Sequence, residues 1–276
     1  MPERIDLHTH SLASDGTLAP AALIRLALER QVELLALTDH DTTAGLAEAR
    51  AAAAGTPLRF LDGIELTAGW RGREIHVVGL QLDPDDAGLQ QHVAGVHAQR
   101  HARVQAMAEK LTQQGLPGAS LAATALAAGG SPTRQHLARA LVAGGHAIDN
   151  EAAFARWLGR KGAAYVPAAW PALEAAVERI VAAGGHAVLA HPHRYQCSAG
   201  QLRELCAAFK AAGGTAIEVS LAGMGQGDTT RCAALARRFD LAASVGSDFH
   251  EPGLPWRPLG RAAKLPDGLR PLSAAL

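Results

Sequence analysis

The chain has 276 residues, 48% hydrophobic and 19% charged, which is enough for one large domain with a substantial core. Its 26 basic and 26 acidic residues give a formal net charge of zero, so the sequence predicts no broad basic surface for long nucleic acid. No apolar stretch reaches the roughly 20 residues needed to span a bilayer, and no signal-like segment precedes the first strand. We therefore expect no membrane partner and a cytoplasmic location.

Short apolar runs alternate with Ala- and Leu-rich segments along most of the chain. Strands separated by helices favour a parallel sheet that is closed or wound by crossovers. The alternation predicts about seven strands, fewer than a standard TIM barrel has. The predicted strands are 5–7, 34–37, 58–61, 75–80, 187–190, 216–219 and 242–245, and the predicted helices are 19–30, 43–54, 171–183, 199–212 and 229–239.

The first strand runs into the triplet His8-Thr9-His10. Alternate side chains of a strand share one face, so the two histidines can converge on one metal ion. Carboxylates and imidazoles recur at or just beyond the ends of the later predicted strands. These tracts are Asp15, Thr38-Asp39-His40-Asp41, Gly63-Ile64-Glu65, Glu74-Ile75-His76, His191-Pro192-His193 and Gly246-Ser247-Asp248-Phe249-His250.

Mixed imidazole and carboxylate ligands suit Zn²⁺, Mn²⁺ and Fe²⁺, whereas a thiolate site needs clustered cysteines. Cys197, Cys206 and Cys232 show no such clustering. We predict that they are buried or incidental thiols.

The order of these motifs resembles the PHP family, named for polymerase and histidinol phosphatase, through nearly the whole chain. The matching tracts are HTH, SDGT, TDHD, IE, HP and SDFH. The resemblance implies a distorted (β/α)7 barrel with its chemistry at the carboxyl ends of the strands. It also implies nine metal ligands: His8, His10, Asp15, His40, Glu65, His76, His191, Asp248 and His250.

Nine ligands exceed what one ion uses, so two or three divalent ions are implied. Mn²⁺ is favoured, and Fe²⁺ and Zn²⁺ suit the same ligands. Asp39, Asp41 and His193 remain alternatives that orient ligands or face the substrate. Similarity to trinuclear members assigns His8, His10, Glu65 and Asp248 to one ion, Glu65, His76 and His191 to a second, and Asp15, His40 and His250 to a third.

The alternation stops between residues 85 and 166, which predicts a helical insertion in a barrel formed by 1–84 and 167–276. Residues 85–114 predict a long helix whose His97, Arg100, His101 and Arg103 form a solvated face. A loop then leads into a helix that starts near Ser131 or Thr133, and another helix is predicted around 151–158. We predict that this insertion caps the substrate.

A phosphoesterase needs cations or N–H donors for the oxygens that do not react, and arginine supplies a bidentate fork. The main candidates are Arg134, Lys161 and Arg194, the first of them at a helix start that already favours anions. Ser131, Thr133 and His136 are further candidates, and Tyr195 and Trp157 are candidates for stacking on a base.

The resemblance implies a metal-dependent phosphoesterase in which Glu65 bridges two ions that activate water. Protonation of the leaving group is left open among Asp248, His250, His193 and solvent. The motifs look most like the family branch that acts on nucleoside 3′,5′-bisphosphates and on the 5′ ends of very short RNAs. We expect removal of the 3′-phosphate from such a small-molecule substrate, with trimming of short oligoribonucleotides as a related activity. Histidinol-phosphate phosphatase and a non-catalytic metal-binding regulatory module are the alternatives.

Overall fold

The computed structural model describes residues 4–127, 130–253, 257–262 and 264–276. Within these ranges seven strands form one sheet in chain order. The strands are β1 (Ile5–Asp6), β2 (Leu34–Leu37), β3 (Arg59–Trp70), β4 (Arg73–Leu80), β5 (His186–Leu189), β6 (Ala216–Leu221) and β7 (Ala242–Gly246). The α-helices are α1 (Pro20–Glu29), α2 (Leu46–Ala53), α3 (Ala87–Gln113), α4 (Gly118–Ala127), α5 (Arg134–Ala143), α6 (Asn150–Ala153), α7 (Leu173–Ala182), α8 (Ala199–Ala211) and α9 (Gln226–Arg238).

The sheet curls into a nearly closed barrel because its first and last strands meet. The backbone N–H of Leu7 donates to the carbonyl of Val245 at 3.1 Å, and that of Asp248 donates to the carbonyl of His8 at 2.9 Å. The predicted α/β barrel of seven strands is therefore confirmed. The contacts also bring the HTH triplet beside the tract around Asp248.

The predicted parallel sheet has an exception at β4, which runs antiparallel to both β3 and β5. No helix separates β3 from β4, because a two-residue turn at Arg71 and Gly72, with φ of 47° and 72°, joins them as a hairpin. Glu65 consequently lies inside the long strand β3 and not at its end. His76 lies near the start of β4, and the reversed direction of that strand brings it to the edge where the parallel strands end.

Alternation along the strands separates the barrel interior from its outer shell. In β2, Leu34 and Ala36 belong to the interior cluster, whereas Leu35 and Leu37 pack with Leu23 of α1. All four β2 residues are buried, as expected for a strand covered on both faces. The continuous apolar run of β2 therefore reflects packing on both faces of the strand, toward the barrel interior and toward the helices outside.

The segment between β4 and α7 is helical and has its own apolar cluster, which includes Met107, Leu137 and Leu158. The predicted helix around 151–158 is α6 followed by a π-helical turn, Phe154–Leu158. The domain boundaries and the capping role of this segment stay predictions. Among the described residues, the helices include none that is long and apolar enough to cross a membrane.

The predicted solvated face of α3 is wrong for its two arginines. Arg100 is buried and its Nε donates to Asp41 at 2.7 Å. Arg103 is also buried and its Nη1 donates to Glu74 at 3.1 Å. Both carboxylates belong to the barrel, so the positive face of α3 attaches the helical segment and does not face water. His101 remains exposed.

Candidate metal centre and substrate cleft

The nine predicted ligands come together at one end of the barrel in four overlapping sets, and within each set the ligand atoms lie within 4.8 Å of one another. Nε2 of His8 lies 3.1 Å from Nε2 of His10. Oε2 of Glu65 lies 3.2 Å from the His8 nitrogen and 3.3 Å from the His10 nitrogen. Oδ1 of Asp248 lies 3.5 Å from the His8 nitrogen and 3.2 Å from the His10 nitrogen. These four atoms come from the ends of β1 and β7 and from the middle of β3.

The spacing of those four atoms matches the geometry of a coordination shell. Ligand atoms about 2.1 Å from a common ion stand about 3.0–3.4 Å apart in octahedral or tetrahedral arrangements. Buried ligand atoms left without a hydrogen-bond partner give an independent sign of a cation site. Asp15 Oδ1, His40 Nδ1 and Glu65 Oε2 are such atoms. The residues present therefore fit divalent metal binding.

Glu65 divides its two oxygens between different groups of histidines. Oε1 lies 2.9 Å from His76 Nδ1 and 2.9 Å from His191 Nε2. Oε2 faces His8 and lies 3.0 Å from His40 Nδ1. This fully buried carboxylate thus contacts ligand candidates on both of its oxygens, which is the arrangement a bridging ligand requires.

A further group surrounds Asp15, whose Oδ1 lies 3.3 Å from His250 Nε2 and 3.9 Å from His40 Nε2. His10 joins this group, with its ring centroid 4.2 Å from that of His250. The side chains could hold metal in four overlapping sets: His10, Asp15, His40 and His250; His8, Glu65 and His191; His8, His10 and Asp248; and His40, Glu65 and His76. The sets overlap more than the three-ion partition implied by the resemblance, so that partition stays a prediction.

Electrostatics keep the carboxylates of this cluster ionised. Burial alone would raise the pKa of Glu65, but the imidazoles of His40 and His8 hold it well below its usual range. The pKa of Asp248 is likewise held well below its usual range, against burial, chiefly by Arg194. Burial, with help from neighbouring histidines, lowers the pKa of His10 to about 3, so this ring is neutral and has a free lone pair.

Asp39 and Asp41, the alternatives beside His40, form hydrogen bonds that stabilise the neighbouring backbone. Asp39 accepts from the Ser11 amide at 2.7 Å and from the Ser14 hydroxyl at 2.6 Å. Asp41 accepts from Arg100 and from the Thr67 amide at 2.7 Å. Each stabilises backbone beside the cluster and belongs to none of the four metal sets.

Sequence reasoning missed two residues that contact ligand candidates. Glu218, on β6, accepts from His8 Nδ1 at 2.6 Å. An acid inside the otherwise apolar run of β6 was the available signal for this residue. Arg257 lies 3.1 Å from Asp248 Oδ2, which also accepts from Arg194. The sequence around Arg257 carried no comparable signal.

A cleft of about 230 Å³ opens beside the cluster. Glu74 is the carboxylate among its lining residues, and it accepts from Arg134 Nη2 at 3.0 Å. The guanidinium groups outnumber it, which makes the cleft suited to an anion. The lining residues are Gly72, Arg73, Glu74, Arg134, Arg160, Tyr165, Arg194, Tyr195 and Gln196.

The other predicted substrate contacts lie in different places. Thr133 caps α5 and donates to Asp15 Oδ2 at 2.9 Å, and His136 Nδ1 accepts from the Thr133 amide in the same cap. Ser131 is buried with an unpartnered hydroxyl. Lys161 is exposed and outside the cleft lining, where its neighbour Arg160 lies. The stacking prediction fails for Trp157, which is buried in the helical segment's core.

Histidines and carboxylates clustered at the barrel edge where the parallel strands end are typical of metal-dependent hydrolases. A sequence model of the PHP domain matches residues 6–158. The chain is 44% identical to 5′-3′ exoribonuclease Rnm of Escherichia coli, over 96% of this chain and 90% of that protein. It is 40% identical to the 3′,5′-nucleoside bisphosphate phosphatase of Chromobacterium violaceum, over 97% and 94%.

Solved structures agree with these sequence matches. The fold is similar to a Chromobacterium violaceum amidohydrolase solved with sulfate and without metal, with a TM-score of 0.93, 39% identity and coverage of 99% of this chain and 95% of that one. It is also similar to a proposed metal-dependent phosphoesterase of Bifidobacterium adolescentis, with a TM-score of 0.82, 30% identity and coverage of 100% and 95%. The chain belongs to the PHP domain family, and its predicted enzyme class, a metal-dependent phosphoesterase, is confirmed.

Proposed function

We propose that this protein removes the 3′-phosphate of nucleoside 3′,5′-bisphosphates to give nucleoside 5′-phosphates, and that it also trims short oligoribonucleotides from 5′ to 3′. One observation carries the proposal. Arg194 lines the arginine-rich cleft described above, called here the guanidinium cleft, and it also donates to Asp248 in the group of nine predicted ligands, called here the ligand cluster. A substrate could therefore place one phosphate at the cluster while a second is held in the cleft. The two relatives named for these activities support the same assignment.

The ligand cluster would hold the reacting phosphate, and the cleft would hold the other one. Divalent ions bound in the cluster lower the pKa of water and polarise phosphoryl oxygens. Glu65 would hold two of them, because its oxygens face different histidines. Arg134 and Arg194 would bind the phosphate that is not cleaved, and the burial of the cluster excludes bulk water from the ligand atoms.

We propose two or three divalent ions, with Mn²⁺ favoured over Fe²⁺ and Zn²⁺. Elemental analysis of protein purified without chelator should give more than one equivalent. Asp15→Ala or His40→Ala should remove one ion without unfolding the barrel, because both side chains belong to the set around His250. One equivalent or less in the wild-type protein after reconstitution with manganese would overturn the polynuclear site.

A phosphate-release panel tests the substrate. The metal-loaded protein should prefer adenosine 3′,5′-bisphosphate over the 3′-monophosphate, the 5′-monophosphate and histidinol phosphate, and should release nucleotides from a short oligoribonucleotide. A chelated sample is the control and should be inactive. A wide preference for histidinol phosphate would replace the proposed substrate, and no release from any compound would favour the non-catalytic module.

The proposed partners are accordingly small nucleotides and short RNA. The balanced net charge gives no broad attraction for long nucleic acid. A cytoplasmic location stays a prediction.

A further inference from the structure

Glu218 is a buried acid whose place in the barrel the ligand motifs do not explain. It lies on β6, where the six residues are all buried and the others are apolar except for Ser220. Alternation along β6 puts it on the same face as Ala216, which packs in the barrel interior. It belongs to none of the four sets that could hold metal. A carboxylate buried in this way requires hydrogen-bond donors on its oxygens.

Each oxygen of Glu218 meets one donor, and each donor belongs to a different ligand candidate. Oε1 accepts from His8 Nδ1 at 2.6 Å, and Oε2 accepts from the backbone N–H of His191. The two histidines follow β1 and β5, which are not neighbours in the sheet. Glu218 therefore fixes two distant parts of the barrel edge with one side chain.

The bond to His8 fixes the orientation of that ring. Because Nδ1 faces the Glu218 carboxylate, Nε2 is the nitrogen that faces the cluster. Nε2 is the atom that lies 3.2 Å from Glu65 Oε2. A ring that turned would no longer present this nitrogen to the cluster.

The bond to His191 stabilises a strained backbone. His191 has φ 29° and ψ 54°, in the left-handed region that a side chain other than glycine rarely adopts, and Pro192 follows it. That conformation directs Nε2 to within 2.9 Å of Glu65 Oε1. The amide held by Glu218 is the amide of this strained residue.

We propose that Glu218 is a positioning residue that sets metal affinity through both His8 and His191 without binding metal itself. The inference rests on the proposed metal centre. The positioning role requires two acceptor oxygens, one for each N–H group. Glutamine would offer only one acceptor oxygen and would face the other N–H group with its own NH₂. Aspartate is one methylene shorter, about 1.5 Å, and could not meet both donors.

The test titrates metal-free protein with Mn²⁺ against a competing chelator. Glu218→Gln should weaken binding by about 10- to 100-fold for the ions that contact His8 or His191. The set around Asp15 should keep its affinity, because Glu218 does not touch it. The control Glu204→Gln makes the same change on an exposed residue of α8 and should leave every affinity unchanged.

A second readout separates positioning from a merely structural role. In ¹H–¹⁵N spectra of the metal-free protein, the Nδ1–H of His8 should give a hydrogen-bonded signal in the wild type, and that signal should shift or disappear in Glu218→Gln. Lower melting temperature with unchanged Mn²⁺ affinity and an unchanged His8 signal would overturn the proposal. If Glu218→Gln does not fold, Glu218→Asp decides: wild-type affinity overturns the proposal, and weakened affinity supports it. Absence of Mn²⁺ binding in the wild type would instead overturn the metal centre on which the inference rests.

Discussion

The ligand cluster and the guanidinium cleft lie side by side but favour ligands of opposite charge. The cluster brings the buried, ionised carboxylates of Glu65, Asp15 and Asp248 together among imidazoles, so it needs cations. The cleft has several guanidinium groups facing Glu74, so it needs an anion. A phosphate ester that carries a second phosphate is a ligand that both regions can share.

The two regions also differ in how rigidly they are held. Most cluster side chains come from barrel strands or the residues just after them, with Asp15 farther along the loop after β1, and His8 also binds the buried Glu218. Cleft side chains come from the start of β4, a helix start and loops, and Arg134 is about a quarter exposed, at 28%. Changes in the cluster should therefore abolish chemistry, whereas changes in the cleft should alter substrate preference.

Glu65→Gln should have the largest effect. The substitution keeps the size of the side chain but removes the charge that faces two groups of histidines. Loss of several kcal/mol of charge stabilisation corresponds to roughly a thousandfold or greater fall in turnover. Phosphate release by metal-loaded protein measures it, and Glu204→Gln is the matched exposed control. Near-normal turnover at full metal loading would contradict the bridging role.

Arg100→Ala breaks contacts that join the helical segment, which supplies Arg134 to the cleft, to the barrel that carries the cluster. It leaves buried Asp41 without its cation, and Thr67 Oγ1 and the carbonyl of Pro132 without their donor. We expect the free energy of unfolding to fall by about 3–5 kcal/mol. Urea denaturation measures it. Arg50→Ala, which removes an exposed pair with Asp62, should cost only about 0–1 kcal/mol, and equal losses in the two variants would refute the argument.

Arg134→Ala tests the cleft without touching the cluster. For a nucleoside 3′,5′-bisphosphate, kcat/KM should fall by about 1.5–3 kcal/mol, because a charge-assisted hydrogen bond to the second phosphate is lost. A 3′-monophosphate should lose much less. The exposed Arg203→Ala is the control. Equal losses for the two substrates would mean that the cleft does not hold a second phosphate.

The smallest effect concerns the core beneath the cluster and checks that the variants keep their fold. Burial raises the pKa of Cys206 and of Cys232 to about 12, so both stay as unreactive thiols at pH 8. An alkylating reagent should modify only the partly buried Cys197 in native protein and all three cysteines after unfolding. Reaction of the buried pair in native Glu65→Gln would show that the barrel has opened.

The sequence was sufficient to name the side chains that cluster, because each lies in a short, ordered motif, and their role as metal ligands stays a prediction. His8 and His10 share a strand face by alternation alone, and the matches in SDGT, TDHD and SDFH named residues that the structure brings together. It was insufficient for Glu218, since an acid within an apolar strand gives no sign of which distant N–H it meets. Arg160 and Lys161 are adjacent in the chain, and only packing distinguishes the one that lines the cleft.

Local pattern therefore located most of the strands and helices, although β3 (Arg59–Trp70) is much longer than the predicted strand 58–61, and the resemblance of the motifs predicted the barrel and named the clustered side chains. Tertiary structure decided the direction of β4, because a two-residue turn at Arg71 and Gly72 replaced the helix that parallel strands need. It also decided that Arg100 and Arg103 are buried, because the carboxylates that compensate their charge lie far away in sequence on the barrel. Hydrogen bonds and ion pairs between distant residues depend on three-dimensional proximity, which periodicity along a chain does not encode.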